Sequence, residues 1–115
     1  METKLTYTII VCYDFDKGWL AKSRDERKTF EKEHVVPILV KYGDRLKRRA
    51  FDAESFTSEF SDFMIIETSD LPAYYLMIED LRQSALFTKG LAKIVKIFMG
   101  IEDGFYTFEA VTGHG

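Results

Sequence analysis

Apolar side chains occupy every second position near the start of the chain: Leu5, Tyr7, Ile9, Val11 and Tyr13. Positions 4, 6 and 8 between them hold Lys or Thr. A period of two that uses β-branched and aromatic residues is typical of a strand with one buried side. We therefore predict a first strand over residues 3–13, followed by a turn over residues 14–18.

The apolar period becomes helical after Ser23. Ser23 can cap a helix and Glu26 can reach back to it, which is the capping-box pattern. One arc of the following segment carries Phe30, His34, Val35, Ile38 and Tyr42. These features predict a helix over residues 24–42, with a kink at Pro37 and a stop at Gly43.

The rest of the chain predicts three more strands and one more helix. A basic second strand over residues 45–53 suits a sheet edge that resists pairing with other chains. A third strand follows over residues 63–68, and Asp70 then caps a helix that runs to about Ser84. A fourth strand over residues 92–99 and a short segment over residues 105–108 complete the chain. The order βαββαβ predicts a ferredoxin-like α+β fold, in which two helices cover one face of an antiparallel sheet.

The second face of that sheet is also apolar. Ile10 and Cys12 lie opposite the first strand's main parity, and the third and fourth strands are apolar on both sides. A bare face of this kind is uncommon in monomers, so we predict a homodimer that joins two sheets as a dimeric α/β barrel. The alternative is that residues 105–108 fold over the face. A cavity between sheet and helices is a reasonable place for a small ligand.

Length, charge and cysteine content narrow the class of protein. The chain has 115 residues, 46% of them hydrophobic, which predicts one domain over residues 1–115 with its own core. A net charge of −3 argues against nucleic-acid binding, and a single cysteine argues against a disulfide or a multi-cysteine zinc site. The longest uncharged stretch, residues 5–13, is too short to span a membrane. Without a signal-peptide pattern, the expected location is cytoplasmic.

His34 and Arg82 are the main candidates for chemistry. His34 lies on an apolar helix face, where it is either a general base near neutral pH or a satisfied core residue. Arg82 projects into the inner arc of the second helix and needs a partner if it is buried. Glu67 and Asp62 are the candidate partners, in a structural ion pair or as part of a pocket where Arg82 holds an oxyanion.

A second set of candidates comes from carboxylates and aromatic residues. Asp52 and Glu54 share one parity, so they either raise each other's pKa for acid–base work or only cap a turn. Aromatic residues make up 15% of the chain and form either a ligand box or simply the core. We predict Trp19, Phe30, Glu67, Tyr74 and Arg82 as ligand-binding residues, and His34 and Asp52 as catalytic residues. No metal site or cofactor is predicted, because no ligand spacing or glycine-rich phosphate loop is present.

Several short stretches together resemble the darcynin family of small bacterial proteins. They are Trp19-Leu20, Arg24, Arg27, Phe30, Glu33-His34, Pro37, Phe51-Asp52-Ala53-Glu54-Ser55-Phe56, Ser61-Asp62-Phe63, Leu81-Arg82, Leu86-Phe87-Thr88 and Gly100-Ile101-Glu102-Asp103-Gly104-Phe105. The resemblance covers nearly the whole chain and implies no established activity. The general pattern is also similar to dimeric α/β-barrel proteins, which include cofactor-free monooxygenases, isomerases and haem-binding proteins, and this similarity implies the fold alone.

Two functions of different class follow from these observations. The first is a homodimer that binds a small apolar or aromatic compound, either as a binding protein or as a cofactor-independent enzyme. The second is a non-enzymatic module that docks another protein through its sheet face or its basic edge. Haem binding is a third and weaker hypothesis, resting on fold analogy and a single helical histidine.

Overall fold

The computed structural model describes residues 4–113. Its elements, in chain order, are β1 (Tyr7–Phe15), α1 (Lys17–Leu20), α2 (Arg24–His34), α3 (Val36–Lys41), β2 (Lys47–Asp52), β3 (Asp62–Thr68), α4 (Leu71–Gln83), α5 (Ala85–Thr88), β4 (Ala92–Gly100) and α6 (Gly104–Thr112). The four strands form one sheet in the order β2-β3-β1-β4, and every neighbouring pair is antiparallel. The predicted ferredoxin-like α+β fold is thereby confirmed.

The helical segment over residues 24–42 differs from its prediction, because it forms two helices rather than one kinked helix. The capping box at its start is present, with Ser23 and Glu26 bonded reciprocally. α2 then ends at His34, Val35 leaves helical geometry with φ −115°, and Pro37 lies in the first turn of α3. Proline has no N–H to donate, and its ring crowds the carbonyl four residues earlier, so the chain has to restart the helix here.

Two further helices depart from the sequence pattern. α1 begins in the predicted turn after β1, because the Asp16 side chain accepts a hydrogen bond from the Gly18 N–H and caps a short helix. The last segment is longer than residues 105–108 and forms α6. Asp103, at φ 47°, turns the chain from β4 into this helix.

The core lies between the sheet and α4. Ile9, Val11 and Ile66 are almost fully buried on the sheet, and Met77 and Leu81 meet them from α4. A smaller cluster packs Trp19 against Leu86 and Ala92. By contrast, α2 contributes no buried residue, so this helix stands off the sheet instead of closing onto it.

The face of the sheet that points away from this core is apolar and partly exposed. Strand register places these side chains on it: Ile10, Phe51, Phe63, Ile65 and Phe98. Phe98 is 49% exposed. We call this surface the open face. α6 does not cover it in the way the alternative prediction required, since Phe98 stays exposed and Phe105, Tyr106 and Phe108 of α6 are themselves exposed.

The molecule measures 56 × 31 × 19 Å, and its smallest dimension fits one helix layer on one sheet. Across residues 4–113, no helix is both long enough and apolar enough to cross a membrane.

Candidate ligand-binding cavity

A cavity of about 190 Å³ lies between the sheet and the helices. Its walls are apolar for the most part and come from β1, β2, β3 and β4 on one side and from α1 to α5 on the other. The cavity forms because α2 contributes no buried side chain to the core. Val35 and Leu39 line the cavity on the helix side without filling it. Small-molecule sites in proteins have this character, concave and apolar with a few polar groups.

Aromatic rings form much of the wall. Tyr13, Phe15, Trp19 and Phe87 all line the cavity. Phe15 stacks on Trp19 with ring centroids 5.2 Å apart and planes at 16°, and Tyr13 meets Phe15 edge to face at 5.6 Å. Such a row of rings offers both faces and edges to a planar guest.

Three polar side chains also line the cavity: Tyr13 from β1, Glu31 from α2 and Arg48 from β2. Within residues 4–113, neither an ion pair nor a side-chain hydrogen bond engages the Tyr13 hydroxyl, the Glu31 carboxylate or the Arg48 guanidinium. Glu31 and Arg48 are exposed at the mouth of the cavity and Tyr13 is half-buried, so all three groups are accessible to a ligand as well as to water.

The state of Tyr13 follows from its surroundings. Burial raises the pKa of its hydroxyl to about 12, and the nearby carboxylate of Asp62 adds to the rise. The phenol is therefore protonated throughout the neutral pH range. At the cavity wall, Tyr13 acts as a hydrogen-bond donor and not as a base.

Trp19 is the one predicted ligand-binding residue that lines the cavity. Phe30 lies directly behind it, at 5.6 Å between ring centroids, and His34 packs on Phe30 at 4.6 Å. The His34 side chain is 39% exposed, and its Nε2 lies 3.8 Å from Glu33 Oε2. The structure thus places His34 on the outside of the helix layer, separated from the cavity by two aromatic rings.

The other predicted ligand-binding residues lie elsewhere. Tyr74 packs against the core from α4, and Glu67 lies on the open side of β3, where its carboxylate is 3.9 Å from Lys47 Nζ. Arg82 is exposed on α4, and it forms no ion pair with Glu67 or Asp62 within the described part of the chain. The helical projection of Arg82 onto the inner arc was wrong, because the buried stripe of α4 runs through Ala73, Met77, Ile78 and Leu81.

Asp52 lies near the end of β2, directly opposite Asp62 on β3. Carboxylate oxygens of Asp52, Glu54 and Asp62 all lie within 4.8 Å of one another. Burial raises the pKa of Asp62 to about 6, and the carboxylate of Asp52 contributes to the rise. None of the three lines the cavity, and an acidic cluster alone does not identify a metal site, so we assign no ligand to it.

Sequence reasoning missed Glu31 and Arg48 as site residues, and it considered Tyr13 only as part of a possible aromatic box and not as a hydrogen-bonding group. A signal for Tyr13 was present, since it shares the buried parity of the first strand. Arg48 shares its parity with Ala50 and Asp52 on β2, and this parity faces the helices. Glu31 had no signal of its own, because its place at the cavity depends on how far α2 stands from the sheet.

Comparison with solved structures gives the same fold. A protein described as a novel heme-binding protein from Thermus thermophilus matches with a TM-score of 0.78 and 13% identity over 95% of this chain. Chlorite dismutase from Candidatus Nitrospira defluvii, in complex with imidazole, matches with a TM-score of 0.72 and 10% identity over 86% of this chain. The matched part covers 46% and 41% of those chains, so this chain spans less than half of either neighbour.

Sequence comparison identifies closer relatives. Darcynin 1 of Acinetobacter baumannii is 34% identical over 79% of this chain and 100% of its own length. Darcynin of Chromobacterium violaceum is 39% identical over 66% of this chain and 95% of its own length. The family model described as "Darcynin, domain of unknown function" matches residues 1–113. The chain therefore belongs to the darcynin family.

Proposed function

We propose that this protein is a homodimer that binds a small apolar or aromatic molecule in the cavity between its sheet and helices. The observation that supports this best is the cavity wall itself, with four aromatic rings beside three polar groups that have no partner within residues 4–113. A wall of this composition is built for a ligand with an apolar body and a polar end.

The size of the cavity limits the ligand. A water-sized probe occupies roughly 10–15 Å³, so a cavity of about 190 Å³ has room for on the order of a dozen non-hydrogen atoms. A single or fused pair of aromatic rings fits this volume. We therefore expect a compact ligand that leaves the helix layer in place.

Haem does not fit this cavity. The Thermus neighbour is described as heme-binding, but haem is far larger than the space available here. The wall contains no histidine or cysteine, which are the common axial ligands of haem iron. His34 lies outside the wall, and His114 falls outside the described residues.

A cofactor-independent enzyme is the finer version of this proposal. His34 would act as base and Asp52 as an acid–base group, yet neither side chain lines the cavity. Replacing His34 with Ala tests the first role directly, since unchanged ligand binding and turnover would remove it. The geometry favours binding over catalysis, because its partnerless polar groups are suited to hold a ligand.

A protein-docking module is the competing function, and the exposed apolar side chains of the open face favour it. The same surface serves the homodimer, in which a second copy covers it. A protein that stays monomeric at high concentration would favour the docking module instead.

The cavity proposal is tested with three probes of matched shape: 2-naphthoate, 2-naphthamide and 2-naphthylmethylamine. Binding is followed by changes in the amide NMR spectrum of the protein. Ala50 lines the cavity from the edge strand β2, so Ala50→Phe fills the space without crowding the buried core. We expect at least one probe to shift the signals of cavity residues, and Ala50→Phe to abolish that binding.

Val40→Phe is the matched control, because Val40 is 72% exposed on α3 and does not line the cavity. It adds a similar bulk and should leave binding intact. Failure of all three probes to bind the wild-type protein would overturn the proposal, as would binding that survives Ala50→Phe.

A further inference from the structure

Arg48 differs from the two basic residues beside it on β2. Lys47 and Arg49 lie on the open side of the strand, where Lys47 Nζ is 3.9 Å from the carboxylate of Glu67 and Arg49 lies 5.7 Å from the centroid of the Phe51 ring. Arg48 lies on the side that faces the helices and lines the cavity. It is the one member of the three without a charged or aromatic partner within residues 4–113.

A guanidinium in this position has a specific chemical complement. Its N–H groups form a planar fork that matches the two oxygens of a carboxylate through parallel hydrogen bonds. Arg48 is exposed at the mouth of the cavity, so the apolar wall shields such a pair from water on one side only. The phenol of Tyr13, on the same cavity, supplies a further neutral donor to an anionic oxygen.

The remaining lining restricts the rest of the ligand. The stacked rings of Phe15 and Trp19 suit a flat aromatic body. Glu31 presents a carboxylate to the same cavity, so it disfavours a second negative group and can accept a hydrogen bond from a hydroxyl substituent. The Tyr13 hydroxyl is influenced by the carboxylates of Asp62, Asp52 and Glu31 as well as by the Arg48 guanidinium. Only the part of the cavity beside Arg48 is therefore complementary to a negative group.

We infer that the ligand is a planar aromatic carboxylic acid, whose carboxylate is held by Arg48 and Tyr13 against the aromatic wall. This inference rests on the proposed function, because it names the ligand class of the same cavity. It also replaces the predicted oxyanion-holding role of Arg82 with one for Arg48.

The naphthalene probes separate this inference from the proposed function. We expect 2-naphthoate to bind about tenfold or more tightly than the neutral amide of the same shape, as hydrogen bonds to charged groups contribute more than neutral ones. Arg48→Gln should remove that preference, because it should weaken binding of 2-naphthoate far more than binding of 2-naphthamide. Arg49→Gln makes the same charge change one residue away on the opposite side and should keep the preference.

Each outcome has a distinct meaning. If no probe binds, or binding survives Ala50→Phe, the cavity proposal fails. If the amide or 2-naphthylmethylamine binds as well as the acid, the cavity binds ligands but the acid class is wrong. A preference for the amine would indicate that the polar end of the ligand is bound by the Glu31 carboxylate and by those of Asp52 and Asp62 near Tyr13. An acid preference that persists in Arg48→Gln would also overturn the role of Arg48.

Discussion

At the residue scale, we expect removal of the Tyr13 hydroxyl to weaken ligand binding and to leave folding almost unchanged. Within the described residues it accepts and donates no hydrogen bond, while its ring packs edge to face on Phe15. Tyr13→Phe keeps the ring and removes the donor. We therefore expect the free energy of unfolding to change by less than about 1 kcal/mol, because no internal partner is lost. Binding of 2-naphthoate should weaken by a few-fold.

The two effects are measured by urea unfolding and by NMR titration of the same variant. A large loss of stability would show that the hydroxyl has a structural role. Unchanged affinity for 2-naphthoate would remove Tyr13 from the carboxylate site and leave Arg48 alone there.

Asp62 should make the folded protein less stable as the pH rises, whereas most carboxylates have the opposite effect. Burial and the facing Asp52 carboxylate raise the pKa of Asp62 to about 6, above its ordinary value of 3.8. Between those two pH values the folded protein holds a proton that the unfolded chain has lost. Stability from this group is therefore fully present below about pH 4 and is lost as the pH rises through 6.

Thermal unfolding of the wild-type protein and of Asp62→Asn between pH 4 and pH 7 measures this effect. The wild-type Tm should fall relative to that of Asp62→Asn as the pH rises, since the amide cannot ionise. Glu102→Gln removes an exposed carboxylate and is the control. A difference between wild type and Asp62→Asn that stays constant over the range would refute the raised pKa of Asp62.

Single residues also show where sequence reasoning stops. Arg82 and Arg48 are both arginines on amphipathic elements, and the helical projection chose Arg82. In a helix, a displacement of one position changes the direction of a side chain by 100°, so the edge of the buried arc is easily misjudged. In a strand, successive side chains point to opposite faces of the sheet. Arg48 and Ala50 therefore share the face that lines the cavity, and strand parity is a more reliable guide here than helical projection.

At the scale of elements, local chemistry predicted most boundaries. β3, α4 and β4 agree with the sequence pattern to within a residue or two at each end, because Asp70 caps α4 and apolar runs define the strands. A kink at Pro37 was predicted, but the division into two helices at Val35 and the helical form of α6 were not. Both depend on backbone geometry around Pro37 and Asp103, which a periodicity of side chains does not contain.

The capping box of α2 should stabilise the roof of the cavity. Ser23 Oγ accepts a hydrogen bond from the Glu26 N–H at 3.1 Å, and α2 has no buried residue to hold it in place otherwise. Ser23→Ala should cost about 1 kcal/mol of the free energy of unfolding. We also expect faster amide hydrogen exchange along α2 than along α4.

Ser58→Ala is the control for that change, because Ser58 is exposed and its hydroxyl makes no hydrogen bond within residues 4–113. If Ser23→Ala behaves like Ser58→Ala, tertiary packing rather than the cap stabilises α2. Weaker binding of the probes in Ser23→Ala would further show that α2 forms part of the site.

At the scale of the whole molecule, the fold has one covered sheet face and one bare one. The covered face holds the core and the cavity, and all the residues that line the cavity come from one chain. The open face packs against no helix layer of its own within the described residues. Contact between its apolar side chains and water raises the free energy of the folded protein.

A second copy is the simplest cover for the open face, because a two-fold axis places the same apolar surface on both sides of the interface. Phe98→Glu puts a charge on the open face, on the edge strand β4, and should convert a dimer to a monomer in sedimentation velocity experiments. Val40 is 72% exposed on α3, on the helix side of the sheet, so Val40→Glu adds the same charge away from the open face and should stay dimeric. A wild-type protein that sediments as a monomer, or a Phe98→Glu variant that remains a dimer, would exclude pairing through the open face. Probe binding that persists in the Phe98→Glu monomer would then confirm that each cavity works within a single chain.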